Sequence, residues 1–204
     1  MDKNLSIEIH KILPTMNTEI RRGLRIGILD IETSSLRADY GGYIVCAAIQ
    51  NYSSKRMWTI RIDDPLNPNQ YSDRWVVRNL TKKIAADFDL LITWNGTLFD
   101  LRFIDSRCYK NRLPLLSPVY HRDIIYHARS KLVIRSRRLN VVHDYLFGNS
   151  CKTVITEKVW SGMLERKKWA IDYMVAHCKI DVTETADIYN RFLPFLSPSL
   201  RKRG

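Results

Sequence analysis

Arg25-Ile26-Gly27-Ile28-Leu29-Asp30-Ile31-Glu32-Thr33 is an apolar run with two acids at its end. It reads as a buried strand. Strand alternation turns Asp30 and Glu32 to one side and Ile31 to the other. Two carboxylates held this close repel, and one is pushed toward protonation unless a cation sits between them. Hard oxygen ligands of this kind suit magnesium or manganese. Taken alone, the pair reads equally well as a cap on a following helix or as solvent-facing charge.

Two further stretches repeat the theme. Leu90-Leu91-Ile92-Thr93-Trp94-Asn95-Gly96-Thr97-Leu98-Phe99-Asp100 is a second apolar strand that breaks at an Asn-Gly turn, with a helix predicted to begin near Thr97. Asp100 then falls in the first helical turn, where the macrodipole favours negative charge. His177-Cys178-Lys179-Ile180-Asp181-Val182 lies inside a long helical pattern from about Lys168 to Phe192. Met174, Cys178, Val182, Thr185 and Tyr189 recur at helical spacing as its buried stripe, and His177 and Asp181 lie one turn apart along the stripe's edge. By themselves, a His and an Asp so placed are an ordinary exposed pair.

Taken together, these motifs make the chain resemble the DEDD superfamily of 3′-to-5′ exonucleases, which share the ribonuclease-H-like fold. Asp30-Ile31-Glu32-Thr33 matches the first motif, Asn95 to Asp100 the second, and Asp181 with its upstream histidine the third. The likeness spans roughly residues 24 to 195. It is nearest to ribonuclease-H-like exonuclease domains of bacteria and phages and to family-B polymerase proofreading domains, through Asn-Gly-x-x-Phe-Asp and Cys178-x-x-Asp-Val-x-x-Thr185. Two positions depart from the pattern. His177 stands three residues before Asp181, the spacing at which the superfamily places tyrosine, which puts the general base in question. Ser35 occupies a place where glycine is common, and serine suffices unless the backbone needs positive φ.

The resemblance implies a chemistry and a site. Asp30, Glu32 and Asp181 would hold one of two Mg²⁺ or Mn²⁺ ions, and Asp30 would bridge to the second, supported by Asp100. His177 would be the base or a positioning residue. Leu36 takes the place of an apolar wedge under the 3′-terminal base, with Thr33 and Asn95 touching the terminal nucleotide. Phe99 and Phe103 read as the core face of the second-motif helix, with Phe99 near enough to the cleft to touch substrate.

The charge suits a polyanion. The chain has 33 Lys and Arg against 21 Asp and Glu, a formal net charge of +12. Residues 102 to 138 hold ten Lys or Arg and two Asp, so this stretch carries most of the excess. Such clustering suits phosphate tracking with strong salt dependence, although a solubilising surface has the same composition. Trp94 is a candidate for the cleft wall, whereas Trp169, Tyr173, Tyr189 and Phe192 read as helix packing.

At 204 residues the chain suits an N-terminal arm (1–22), one domain (23–196) and a basic tail (197–204) expected to be mobile. Nothing resembles a membrane span or a leader, so a cytoplasmic protein is expected. Cys46, Cys108, Cys151 and Cys178 show no metal-binding spacing and read as reduced thiols. Asp123 reads as an N-cap in preference to an outer carboxylate of the metal site. His121, His127 and His143 have no mutual metal-binding spacing and read as ordinary surface or core residues.

The predicted elements are strands near 25–30, 43–50, 56–62 and 89–94, a short one before Asp123, and helices near 72–87, 97–110, 123–132, 137–147 and 168–192. Early antiparallel strands followed by alternating strands and helices fit an α/β/α sandwich on a mixed five-stranded sheet, a ribonuclease-H-like fold. The expected function is a metal-dependent 3′-to-5′ exonuclease on single-stranded DNA or RNA ends, with a replication or repair protein as a conceivable partner. A structure-selective endonuclease of the same fold and a non-catalytic nucleic-acid-binding module are the alternatives.

Overall fold

The computed structural model describes residues 23–116, 119–149, 153–196 and the backbone of 201–202. The predicted N-terminal arm and Cys151 lie outside the described residues. Three strands come first: β1 (Ile26–Thr33), β2 (Ile44–Asn51) and β3 (Met57–Arg61). Helix α1 (Arg74–Asp87) leads to β4 (Leu90–Thr93), α2 (Asp100–Asn111) and β5 (Tyr120–Asp123). Helices α3 (Ile125–Lys131), α4 (Leu139–Phe147), α5 (Glu157–Leu164) and the 25-residue α6 (Lys168–Phe192) follow.

The sheet order is β3-β2-β1-β4-β5-β6. β1, β2 and β3 pair antiparallel, while β1, β4 and β5 run parallel, so the sheet is mixed as expected. The sixth strand is only Arg201–Lys202, paired antiparallel with β5. Within the expected basic tail, the backbone of these two residues completes this edge of the sheet.

Central strands are apolar on both faces because helices cover both. Ile28, Leu29, Ile44, Ile49 and Leu90 to Ile92 are buried. Gly27 is seated against Phe88, just past the end of α1, and an added Cβ there would lie 2.8 Å from that ring. Alternation therefore sends Ile28, Asp30 and Glu32 to the opposite face. That face belongs to α6, whose Met174, Cys178, Val182, Thr185 and Tyr189 are all buried, the stripe expected from the periodicity.

The structure adds α5, which the sequence reading did not contain. It is capped by Thr156, whose Oγ1 accepts from the Val159 N–H at 3.4 Å. The second-motif helix begins at Asp100 and not at Thr97, because Leu98 N and Phe99 N first bond the Asn95 carbonyl in a turn. Trp169, expected as packing, lies against Gly162 yet remains 46% exposed.

Candidate active site

Three elements bring the acids together. β1 ends with Asp30 and Glu32 on the α6 side, and the Cys178 thiol of α6 donates to the Asp30 carbonyl at 3.4 Å. That contact fixes the height of α6 against β1, so His177 and Asp181 flank the end of the strand. His177 Nε2 lies 3.6 Å from Glu32 Oε1 and 3.8 Å from Asp181 Oδ2. Glu32, His177 and Asp181 present ligand atoms within 4.8 Å of one another, a group able to hold a metal ion.

Asp30 and Asp100 lie outside that tight triad but within its field. Asp100 is 3% exposed, and its Oδ1 accepts from the Ile31 N–H at 3.1 Å, which joins α2 to β1 between the two acids. Asp30 Oδ2 is buried with no hydrogen-bond partner among the described residues. Burial, then Asp100, Asp181 and Glu32, push the Asp30 carboxyl well above its ordinary range. Burial with Asp181 and Asp100 does the same to Glu32. Burial takes Asp100 to about 7, with help from Asp123 and Asp181 and against two backbone hydrogen bonds. A divalent cation would relieve each of these shifts. The donor set, all carboxylate oxygen with one imidazole, fits such an ion.

The second-motif turn has its own support. Asn95 adopts a left-handed φ of 68°, and a Cβ on Gly96 would fall 2.4 Å from Thr93 Oγ1, so only glycine lets the chain turn there. Asp123 accepts from Asn95 N at 2.8 Å and Thr97 N at 2.9 Å, and from Ile125 N at 3.3 Å. Its main bonds are thus to the turn that delivers Asp100, and the expected capping role is the weaker one. Both its oxygens being engaged by backbone amides, Asp123 is a brace on the site.

The candidate substrate contacts divide. Leu36 is 85% exposed beside the site, whereas Thr33 is buried with its hydroxyl donating to the Ser35 carbonyl at 2.7 Å. Asn95 Oδ1 is buried with no hydrogen-bond partner among the described residues. Phe99 sits half-buried with its ring 5.7 Å from Phe103, on the core side. Trp94 is half-buried and donates its indole N–H to the Arg137 carbonyl at 3.2 Å. Ser35 has no positive φ, which accounts for serine standing there.

Sequence reasoning missed Thr153, whose Oγ1 lies 2.5 Å from His177 Nδ1. No local pattern marks it, since the contact spans 24 residues between a loop and α6. Two residues of the basic stretch are engaged within the fold. Arg107 is buried against Asp73, and Arg137 bonds the carbonyls of Ile134 and Leu132. His143 is a core residue on the Asn149 carbonyl at 2.8 Å, and the half-buried His121 lies 2.9 Å from Thr93 Oγ1. Cys46, Cys108 and Cys178 are buried free thiols.

The RNase_H superfamily family model matches residues 28–193, which takes in all three acidic motifs. The chain belongs to the RNase_H superfamily. That membership accounts for the mixed sheet and points to a nuclease acting on nucleic acid with divalent metals. Among solved structures, the chain is similar to the family B DNA polymerase from the hyperthermophilic archaeon Pyrobaculum calidifontis, with a TM-score of 0.66 and 18% identity. The match covers 84% of this chain and 25% of the polymerase, so the likeness is one of fold to a quarter of a larger protein. No curated protein matches the chain. Among the described residues, no helix is long and apolar enough to cross a membrane.

Proposed function

We propose that this superfamily member is a DEDD-type 3′-to-5′ exonuclease that hydrolyses single-stranded DNA or RNA ends to nucleoside 5′-monophosphates. The observation that carries the reading is the convergence of four acids from one strand end and two helices, with Asp30 Oδ2 buried and unpartnered among the described residues. Acids so placed oppose one another at neutral pH, and cation binding is what such an arrangement is suited to. Asp30, Glu32 and Asp181 would hold one Mg²⁺ or Mn²⁺ ion, with Asp30 and Asp100 serving a second. Bound there, the ions would activate water and stabilise charge on the attacking and leaving oxygens at phosphorus.

The chain's own residues have distinct roles in this reading. With a proton on Nδ1, His177 donates to Thr153 Oγ1 and leaves the Nε2 lone pair facing Glu32 and Asp181. That lone pair is the group proposed to take the proton of the attacking water. Asp123 keeps Asp100 in place through the Asn95–Thr97 backbone. Leu36, Thr33, Asn95 and Phe99 are the proposed contacts of the terminal nucleotide. A setting beside a replication or repair enzyme fits this reading.

One observation favours a variant of it. Because Glu32, His177 and Asp181 form the tightest ligand group, His177 is also a candidate metal ligand.

Digestion of 5′-labelled single-stranded DNA and RNA with Mg²⁺ or Mn²⁺ tests the proposal. The expected result is a ladder shortening from the 3′ end with release of mononucleotides, absent in Asp30→Asn. Internal fragments would establish the endonuclease alternative, and salt-sensitive binding without cleavage the binding module. A His177→Ala loss of about 10²–10⁴-fold at saturating metal marks the base. A loss that excess metal restores marks the ligand.

A further inference from the structure

A groove of about 950 Å³ opens between the Ser34–Gly42 loop and α2, outside the acidic centre. Arg37 and Tyr40 line one side, Ser106 and Lys110 the other, with Asp39 the sole carboxylate of its lining. Its position follows from the chain path. The loop leaves β1 directly after Glu32 and Thr33, and α2 starts at Asp100, so both walls begin at the acids.

The α2 wall is a basic row. Arg102, Ser106 and Lys110 are four residues apart and share one helix face. All three are exposed, and neither lysine nor arginine makes an ion pair among the described residues. Each turn advances about 5.4 Å, on the order of the separation of successive phosphates in an extended strand, and Lys110 lies roughly 15 Å along the helix from Asp100. The row leads away from the acids with cations at its first and third turns.

The loop wall is a rigid platform with an aromatic at its tip. Tyr40 is fully exposed and holds a φ of 37°, a left-handed conformation unfavourable for a bulky residue. The turn behind it closes through the Gly42 N–H to the Asp39 carbonyl at 2.7 Å. At Gly42 an added Cβ would lie 1.9 Å from the Arg37 carbonyl oxygen, so the loop folds back as tightly as glycine allows. Arg107 then fastens it to the body, donating to the Ala38 carbonyl at 3.0 Å while it pairs bidentately with the fully buried Asp73. A solvent-facing tyrosine on so constrained a turn gains nothing from packing. It is suited to receive a flat partner.

We propose that this groove seats the nucleotides behind the scissile bond, with Tyr40 stacking on a base and Arg37, Arg102 and Lys110 holding phosphates of a single strand. The proposal rests on the nuclease reading for the direction of the strand, and it extends that reading by specifying a minimum length. About two or three nucleotides beyond the terminal one would reach Lys110. A duplex would not present an unstacked base to Tyr40, so the groove selects single strands. Arg107 and Asp73 are positioning residues for the platform.

The test is metal-free binding of 5′-fluorescein oligothymidylates of two to eight nucleotides, measured by anisotropy over a range of salt, alongside digestion of the same strands in Mn²⁺. For the wild type, affinity is expected to climb to about four nucleotides and then level. Tyr40→Ala should bind the longer strands about tenfold more weakly, with Tyr40→Phe restoring affinity, since the ring and not the hydroxyl stacks. Arg37→Ala with Lys110→Ala should lower the slope of log K against log salt by about 1.4, two single-strand phosphate contacts. All these side chains are exposed, and thermal midpoints check that the fold is intact. Wild-type affinity and salt slope in every variant would overturn the groove even if the enzyme degrades strands from the 3′ end. The expected binding defects in a protein that cleaves nothing would sustain the groove and remove the nuclease reading.

Discussion

Asp30, partly buried on the central strand β1, and Asp73, fully buried at the start of α1, are treated in opposite ways. Asp73 is fully buried and satisfied: Arg107 meets it at 2.7 and 2.8 Å, the Asn111 amide at 2.9 Å and the Ile44 N–H at 3.0 Å. Asp30 has an unpartnered Oδ2 and three acids pushing its carboxyl up. The first arrangement ties α1, α2 and β2 together. The second costs stability in the metal-free chain and suits a cation, as the proposed function requires, so the partner set, more than the burial, distinguishes the two carboxylates.

The sharpest way to break this contrast is to remove the charge from each. Asp30→Asn is expected to lower cleavage by about 10³-fold or more, since metal held by that oxygen is lost. In metal-free buffer near neutral pH the same change should raise the thermal midpoint, because it removes a carboxyl that the fold must either keep protonated or hold ionised against three other acids. A lowered midpoint would show that Asp30 is satisfied like Asp73. Asp73→Ala should cost about 3–5 kcal/mol in chemical denaturation, the penalty for leaving the buried Arg107 guanidinium unpaired.

pH provides the next test. Asp30 and Glu32 are raised well above the carboxylate range and Asp100 to about 7, so the folded metal-free protein retains protons that the unfolded chain has released. Stability from these groups is full below about pH 4 and is lost as pH rises through their folded values. The metal-free midpoint should therefore fall between about pH 5 and pH 8, and Mn²⁺ should restore progressively more of it toward pH 8. A midpoint independent of pH and of Mn²⁺ across that range would remove the metal site. The smallest effect is expected at the exposed Arg25–Asp89 pair, 2.8 Å apart, where Asp89→Ala should change stability by about 1 kcal/mol or less.

How far the sequence revealed all this depends on the range of each interaction. The strand ending in Asp30 and Glu32, the Asn-Gly break before Asp100 and the α6 stripe are local periodicities, readable because burial imposes a repeat of two or about 3.6 residues. The short helix α5, Glu157–Leu164, was not read from the sequence. Asp123 was read as a cap because that role is local, whereas its stronger bonds reach back to Asn95 and Thr97 across 28 and 26 residues. Arg107 was counted only as part of the basic stretch because its partner Asp73 lies 34 residues away.

By itself, the sequence determined most of the strands and helices, and which of them carry the acids, since these follow from side-chain pattern and chain stiffness. Tertiary structure alone decided the partners: Thr153 on His177, Asp123 on the second-motif turn, Arg107 on Asp73, and an orphaned oxygen on Asp30. Whether a buried carboxylate is paired depends on which distant segments the sheet order brings beside it, and no local pattern encodes that.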